Sequence, residues 1–274
     1  MKKTQNDNGD SAYRKAGERM TLTIMSVKYP FRWIPAGSFV MGSPLSEQKE
    51  AANPKYTAED FSIEVQHRVN ISRGFWMLES PITRGMWRAV MGADPCYYRE
   101  PDNHPVVQVS WNDCQEYVRE LNDLGTCPEG FAFSLPTEAE WEYACRAGTT
   151  TPYHFGIALN GDKANCNGHF PFGTNKKGKC LWGTSKVGKY PANSWGLVDM
   201  HGNVSEWVLD WFGAYPTGEV TDPLGPETGE FRVFRGGGWG DFPFECRAAY
   251  RSYNAPDNDD DDQTGARLVL RQKD

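Results

Sequence analysis

The chain has 274 residues, a net charge of −7 and no cluster of Lys and Arg. Phosphate-neutralising side chains are therefore lacking, which argues against a nucleic-acid partner, and no apolar run approaches the ~20 residues of a membrane-spanning helix. Apolar residues make up 39% of the chain, enough for a core, and ten Trp beside 28 Gly and 18 Pro predict much irregular structure held by large side chains.

Met1–Met20 is polar and reads as a loosely attached segment (1–20) ahead of a folded domain at 21–274. It opens with two lysines but has no apolar stretch, so it does not read as a secretory signal. Thr21–Lys28 alternates as a strand does, and Phe31–Ser43 reads as two short strands around Pro35-Ala36-Gly37. Pro44–Asp60 is rich in small and charged residues and reads as a loop. Val65–Ile71 alternates again, and Phe75–Leu78 follows a glycine turn.

Three helices are predicted next. Thr83 caps the first, with Met86, Trp87, Val90 and Met91 at helical spacing before Gly92. The second follows Ser110 and Trp111, with Cys114, Tyr117, Val118 and Leu121 on one stripe. In the third, Thr137 and Glu140 form a capping box, and Gly148 is the stop. Gly and Pro then dominate to about Trp195, and only short strands and loops are predicted beyond. This order fits an α+β fold of low regular content. Seven scattered cysteines (Cys96, Cys114, Cys127, Cys145, Cys166, Cys180 and Cys246) without a CxxC pair suit neither a disulfide framework nor a zinc site, and most are expected as free thiols.

The run Phe231–Leu270 differs from the rest. Phe231–Phe234 and Ala266–Leu270 read as strands, expected in one sheet, while Gly236, Gly237 and Gly238 break the periodicity between them. Asp241, Phe242, Phe244, Tyr250, Ser252, Tyr253 and Asn254 follow, and then the acidic run Asp257–Asp262. Aromatics interleaved with Ser, Asn, Gly and Asp have the composition of a recognition surface. The same composition suits a turn-rich connection between two strands, and both readings stand at this point.

Six segments, in order, resemble the formylglycine-generating enzyme family, also called the sulfatase-modifying-factor family. They are IPAGSFVMGS (Ile34–Ser43), ESPITRGMW (Glu79–Trp87), HPVVQVSWNDCQEY (His104–Tyr117), SLPTEAEWEYACRAG (Ser134–Gly148), WGLVDMHGNVSEWVLDW (Trp195–Trp211) and FRVFRGGGW (Phe231–Trp239). The resemblance implies a C-type lectin-like fold, with Trp141, Trp195, Trp207 and Trp239 as core anchors. Enzymes of the family use two cysteines that bind copper, a soft ion suited to thiolates. Those positions fall near Asp241 and Pro243, and Cys246 beside Arg247 matches neither. On that departure the chain is expected to be no enzyme and to bind no copper. An iron site like that of related sulfoxide synthases implies histidines from a partner domain, and His67, His104, His154, His169 and His201 show no ligand spacing. No Ser-His-Asp set or carboxylate pair is legible either. The family's calcium loop implies the side chains of Asp199 and Glu206 with the carbonyls of Gly202 and Val204, a hard-oxygen set suited to calcium; a turn merely capped by Asp199 and Glu206 is the alternative. A second implied site starts at Asn165 and Cys166, but its acidic position falls among Lys176, Lys177 and Lys179.

The C-terminal run is also similar to the variable regions of diversity-generating retroelement proteins, which display residues diversified by adenine-directed mutagenesis. That resemblance implies a variable region at about 235–267 that displays Gly240, Asp241, Phe242, Phe244, Tyr250, Ser252, Tyr253, Asn254, Asp260 and Asp261. Arg235, Trp239, Cys246, Arg247, Arg251, Pro256 and Arg267 would be its invariant frame, and Glu245 does not fit an Asn-codon origin. Phe242, Phe244, Tyr250 and Tyr253 are expected to be exposed on one face. The implied function is non-catalytic binding of an unknown protein or surface ligand. The alternatives are a partner or maturation factor of an exported system, or a divergent formylglycine-generating oxidoreductase. The implied location is the cell surface, through a lipid anchor outside this sequence, with the cytoplasm as the alternative.

Overall fold

Met25 and Ser26 both adopt left-handed backbone angles (φ 48° and 66°), and this two-residue turn folds β1 (Arg19–Ile24) onto β2 (Val27–Ile34). The computed structural model describes residues 14–52 and 63–273. The chain continues through β3 (Gly37–Met41), α1 (Leu45–Ala51), β4 (His67–Ile71), β5 (Phe75–Leu78), α2 (Arg84–Met91), α3 (Trp111–Asp123), β6 (Phe131–Ser134) and α4 (Glu138–Arg146). After a long irregular stretch come β7 (Ser205–Trp211), β8 (Val220–Thr221), β9 (Arg232–Arg235), β10 (Ser252–Asn254), β11 (Thr264–Ala266) and β12 (Val269–Gln272). A five-stranded sheet has the order β1-β2-β5-β12-β6, a four-stranded sheet β10-β9-β7-β11, and a three-stranded sheet β3-β4-β8. The fold is α+β, with few helices and small curled sheets, as expected. Among the described residues no helix is long and apolar enough to cross a membrane.

The predicted helix starts carry their caps. Thr83 accepts from the Met86 amide, and Ser110 and Thr137 each form a capping box with Asp113 and Glu140. The end of α4 differs slightly, because Ala147 rather than Gly148 takes the left-handed cap position (φ 45°). Three sequence expectations are corrected. Leu45–Ala51 is a short helix inside the segment read as a loop, with Glu47, Gln48 and Ala51 buried; the loop reading of 53–60 lies outside the described residues. Residues 14–20 belong to the folded body, since Gly17 donates its amide to the Trp33 carbonyl and β1 starts at Arg19; residues 1–13 lie outside the described residues. The run Ala266–Leu270, expected as one strand in the sheet of β9, is split: its first residue ends β11, which lies with β9 in the four-stranded sheet, and its last two begin β12 in the five-stranded sheet. β9 pairs with β7, while β12 pairs with β5 and β6, because the chain first lays β11 parallel to β7 and then crosses over.

One core forms between the five-stranded sheet and the pair α2 and α3, where the Trp87 and Tyr117 rings stack at 4.8 Å and the Tyr29 and Tyr117 hydroxyls meet at 2.9 Å. A second surrounds α4, with Trp141, Leu197, Val208, Val233 and Val269. The two meet at a fully buried ion pair. Arg267 Nε and Nη2 donate to Glu206 (2.7–3.1 Å), its Nη1 donates to the carbonyls of Leu78 and Glu79, and its Nη2 also reaches the Val198 carbonyl. Trp141 Nε1 donates to the remaining side of Glu206 at 2.7 Å. Removing one partner of such a pair strands the other charge in the interior, which costs about 3–5 kcal/mol. Glu206→Gln is therefore expected to lower unfolding stability by about that amount in a urea titration. A loss under about 1 kcal/mol would show that the pair is not the joint between the cores.

Candidate functional site

The C-terminal loop starts from β9 through Gly236 and Gly237, both at positive φ (100° and 72°), and a Cβ on Gly237 would lie 2.7 Å from Cys246 Sγ. Buried arginines then pin it at intervals. Arg235 donates to Glu138 (2.9 Å), to Glu142, and to the carbonyls of Ala248 (2.6 Å) and Ala249 (3.3 Å). Arg247 donates to Glu47 (2.6 Å) and Glu64 (2.8 Å), and its Nε closes on the Phe244 carbonyl. Arg251 grips Glu138 through Nε and Nη2 (2.7 and 2.9 Å) and lies 3.9 Å over the Tyr215 ring. Burial works against the Glu138 charge, yet Arg251 and Arg235 outweigh it and hold its carboxyl below the ordinary range. Ionised, doubly bonded pairs of this kind are short and orienting, and they hold a backbone with little regular structure.

The displayed residues fall into distinct settings. Phe242 is half-buried against Phe170, with ring centroids 4.8 Å apart. Phe244, expected at the surface, is only 6% exposed; the turn Pro243–Cys246 faces it inward, into a cluster with Tyr153, Leu159 and Phe172. Tyr250 is half-buried, with its ring 5.9 Å from that of Phe244. Tyr253, 46% exposed, stacks on Phe212 at 3.9 Å and neighbours Phe231, so the aromatics do not form one cluster. Ser252 and Asn254 flank it on β10. Gly240 donates its amide to Gln263, and Asp241 accepts from the Gly238 amide, with burial raising its carboxyl pKa. Asp260 is exposed, whereas Asp261 accepts from Thr264 Oγ1 (2.5 Å) and the Gln263 amide.

Other aromatics reach solvent beside this loop. Tyr97 (82% exposed), Tyr98, Phe170 and Trp182 (65%) sit on segments tied to it: the Gln108 amide donates to the Asp261 carbonyl, and the Asn167 amide to that of Asp241. Sequence reading missed them because they stand in stretches without periodicity. The adjacent pair Tyr97-Tyr98, in a polar surround, was the one available signal.

Inside the loop the Cys246 thiol lies against the Cys166 thiol; a hydrogen bond between the two first, and burial second, push its pKa well up. His201 is buried and neutral, lowered to about 3 by burial and then by His154; its Nδ1 donates to the Cys246 carbonyl (2.7 Å) and its Nε2 accepts from the His154 amide. All seven cysteines are free thiols. Among the described residues no group of three His, Cys, Asp or Glu side chains could hold a metal ion. The positions implied for two copper thiolates hold Asp241 and Pro243, which do not fit a soft ion. The implied calcium set also does not fit as a whole. Asp199 accepts from the Gly188 amide with burial raising its pKa to about 6, and Asn165 Oδ1 is buried without a partner, but Glu206 is bonded on both oxygens by Arg267 and Trp141.

A family model described as "Sulfatase-modifying factor enzyme 1-like domain" matches residues 30–272. The chain is 34% identical to the formylglycine-generating enzyme of Bos taurus over 81% of its own length and 54% of that protein's. It is 36% identical to that of Thermomonospora curvata, over 90% of this chain and 86% of the other. It thus spans about half the length of the bovine relative and most of the bacterial one. Among solved structures it is similar to Treponema denticola variable protein 1 (TM-score 0.76, 25% identity, 92% of this chain and 99% of that one). It is likewise similar to PvdO from Pseudomonas aeruginosa (TM-score 0.73, 26% identity, 94% and 99%). These relatives correct the expectation that the chain is no enzyme: several curated formylglycine-generating enzymes lie at 32–40% identity.

With Glu206 committed to Arg267, the melting temperature is expected to be the same in calcium and in EDTA. A calcium-dependent rise of several degrees that disappears in Asp199→Ala would restore the implied ligand set.

Proposed function

The chain belongs to the sulfatase-modifying-factor (formylglycine-generating enzyme) family, and from that premise we propose that it binds a macromolecular ligand through the surface of its 236–262 loop. The carrying observation is the division of labour in that loop. Arg235, Arg247 and Arg251 are fully or almost fully buried in ion pairs, while Phe242, Tyr250, Ser252, Tyr253, Asn254 and Asp260 reach solvent. Surface positions on a fixed backbone accept many side chains, because no cavity or overpacking follows a substitution there. The likeness to a treponemal variable protein supports a diversified surface of the retroelement type. Display at the cell surface through a lipid anchor goes with this reading.

A library randomised at Phe242, Tyr250, Ser252, Tyr253, Asn254 and Asp260, selected against a purified protein such as lysozyme, is expected to yield specific binders. Most members should still fold: changes at exposed Tyr253 and Asp260 usually shift stability within about ±0.5 kcal/mol each, and those at half-buried Phe242, Tyr250, Ser252 and Asn254 by about 0.5–3 kcal/mol at most. A library that mostly fails to fold would place these residues in the core and end this reading.

The curated relatives favour a second reading, formylglycine-generating oxidoreductase activity. On it, a cysteine-containing sulfatase peptide is converted to formylglycine by dioxygen in the presence of an added thiol such as dithiothreitol, which supplies two electrons, with the peptide sulfur leaving as sulfide and the second oxygen atom as water. Absence of product from the wild-type protein would leave ligand binding alone.

A further inference from the structure

Beside the loop surface lies a cavity of about 230 Å³ whose lining includes Tyr98, Glu100, Gln108, Trp182, Trp239 and Asp262. Two of these have backbones that L residues rarely adopt: Gln108 and Trp182 both sit at φ 58°. Strain of that kind persists only where the surroundings enforce it, and it gathers at ligand clamps. Here it holds an indole that is 65% exposed, with His169 edge-on at 5.9 Å. Trp239 is fixed by its Nε1, which donates to the Asp262 carbonyl at 3.1 Å.

The charges around the cavity are one-sided. Arg84, its one lining cation among the described residues, is neutralised by Asp94 through Nε and Nη2 (3.0 and 2.7 Å), and its Nη1 is taken by the Tyr98 carbonyl. His104 stands 3.7 Å from Glu100, but burial lowers its pKa. Glu100 and Asp262 therefore face the cavity without a balancing cation, and burial together with Asp261 raises the Asp262 carboxyl pKa. Aromatic faces beside carboxylates attract organic cations through the ring quadrupole and direct charge.

We propose that this cavity binds an organic cation, the ammonium or guanidinium end of a lysine- or arginine-sized chain, against Trp182 and Trp239 with Glu100 and Asp262 as counter-charges. The source is a basic side chain of the macromolecule bound by the loop. That assignment of source rests on the ligand-binding reading, while the cavity's chemistry does not.

The test is an indole-fluorescence titration of the full chain with N-acetyl-lysine amide, N-acetyl-arginine amide, choline, N-acetyl-norleucine amide and methyl glucoside. A lysine or arginine probe should saturate in the millimolar range, and the uncharged probes should not. Trp182→Ala and Asp262→Asn should each weaken the cation by about five- to tenfold, with unchanged melting temperatures. Leu224→Ala, at an exposed residue that does not line the cavity, should leave binding as it is. Equal affinity for the norleucine probe, or cation binding untouched by Trp182→Ala, would overturn the proposal. Choline binding without lysine or arginine binding would overturn the side-chain source. Cation binding that persists when loop libraries yield no binders would sink the ligand-display reading and leave the cavity standing.

Discussion

The fold hangs on the Glu206–Arg267 pair. One residue comes from β7 and the other from the link between β11 and β12, so the pair joins the four-stranded sheet to the five-stranded one. Its remaining bonds reach the carbonyls of Leu78, Glu79 and Val198 and the Trp141 indole, which satisfies backbone groups where regular pairing stops. A buried pair is weak evidence of net stabilisation, since desolvating both charges is costly. What it supplies is register: a guanidinium in a fixed fork accepts few arrangements of its neighbours.

The same device recurs through α4. Every residue of that helix is buried, including Glu138, Glu140 and Glu142, and each of those carboxylates meets an arginine: Arg251 and Arg235, Arg271, and Arg146 with Arg235. Arg247 adds Glu47 and Glu64. The protein thus carries a polar skeleton beneath its irregular half, where a larger sheet would otherwise bear the load.

Much of the fold was legible in the sequence. The caps at Thr83, Ser110 and Thr137 announced α2, α3 and α4, because side-chain capping is local. Failures came where long-range contacts decide. The burial of the three glutamates in EAEWEYA has no local signature, because arginine partners of all three lie far along the chain. Phe244 read as displayed because composition does not reveal which way a short turn points, and Ala266–Leu270 read as one strand because the crossover from β11 to β12 has no local signature. The frame of the candidate site was legible in Arg247, Arg251 and Arg267; the neighbouring aromatics Phe170 and Trp182 were not, since only the folded chain brings them to Phe242 and Trp239.

Anchoring at Arg235, Arg247, Arg251 and Arg267 also fixes how this surface is able to change. Each guanidinium is matched to its own carboxylate, and adding one residue between two anchors would displace the next along the chain by up to about 3.8 Å, more than a hydrogen bond tolerates. Antibody-type loops diversify partly by growing and shrinking. Between the closely spaced anchors Arg247 and Arg251 this surface therefore changes by substitution, and a change of length belongs in the exposed stretch around Asp259 and Asp260.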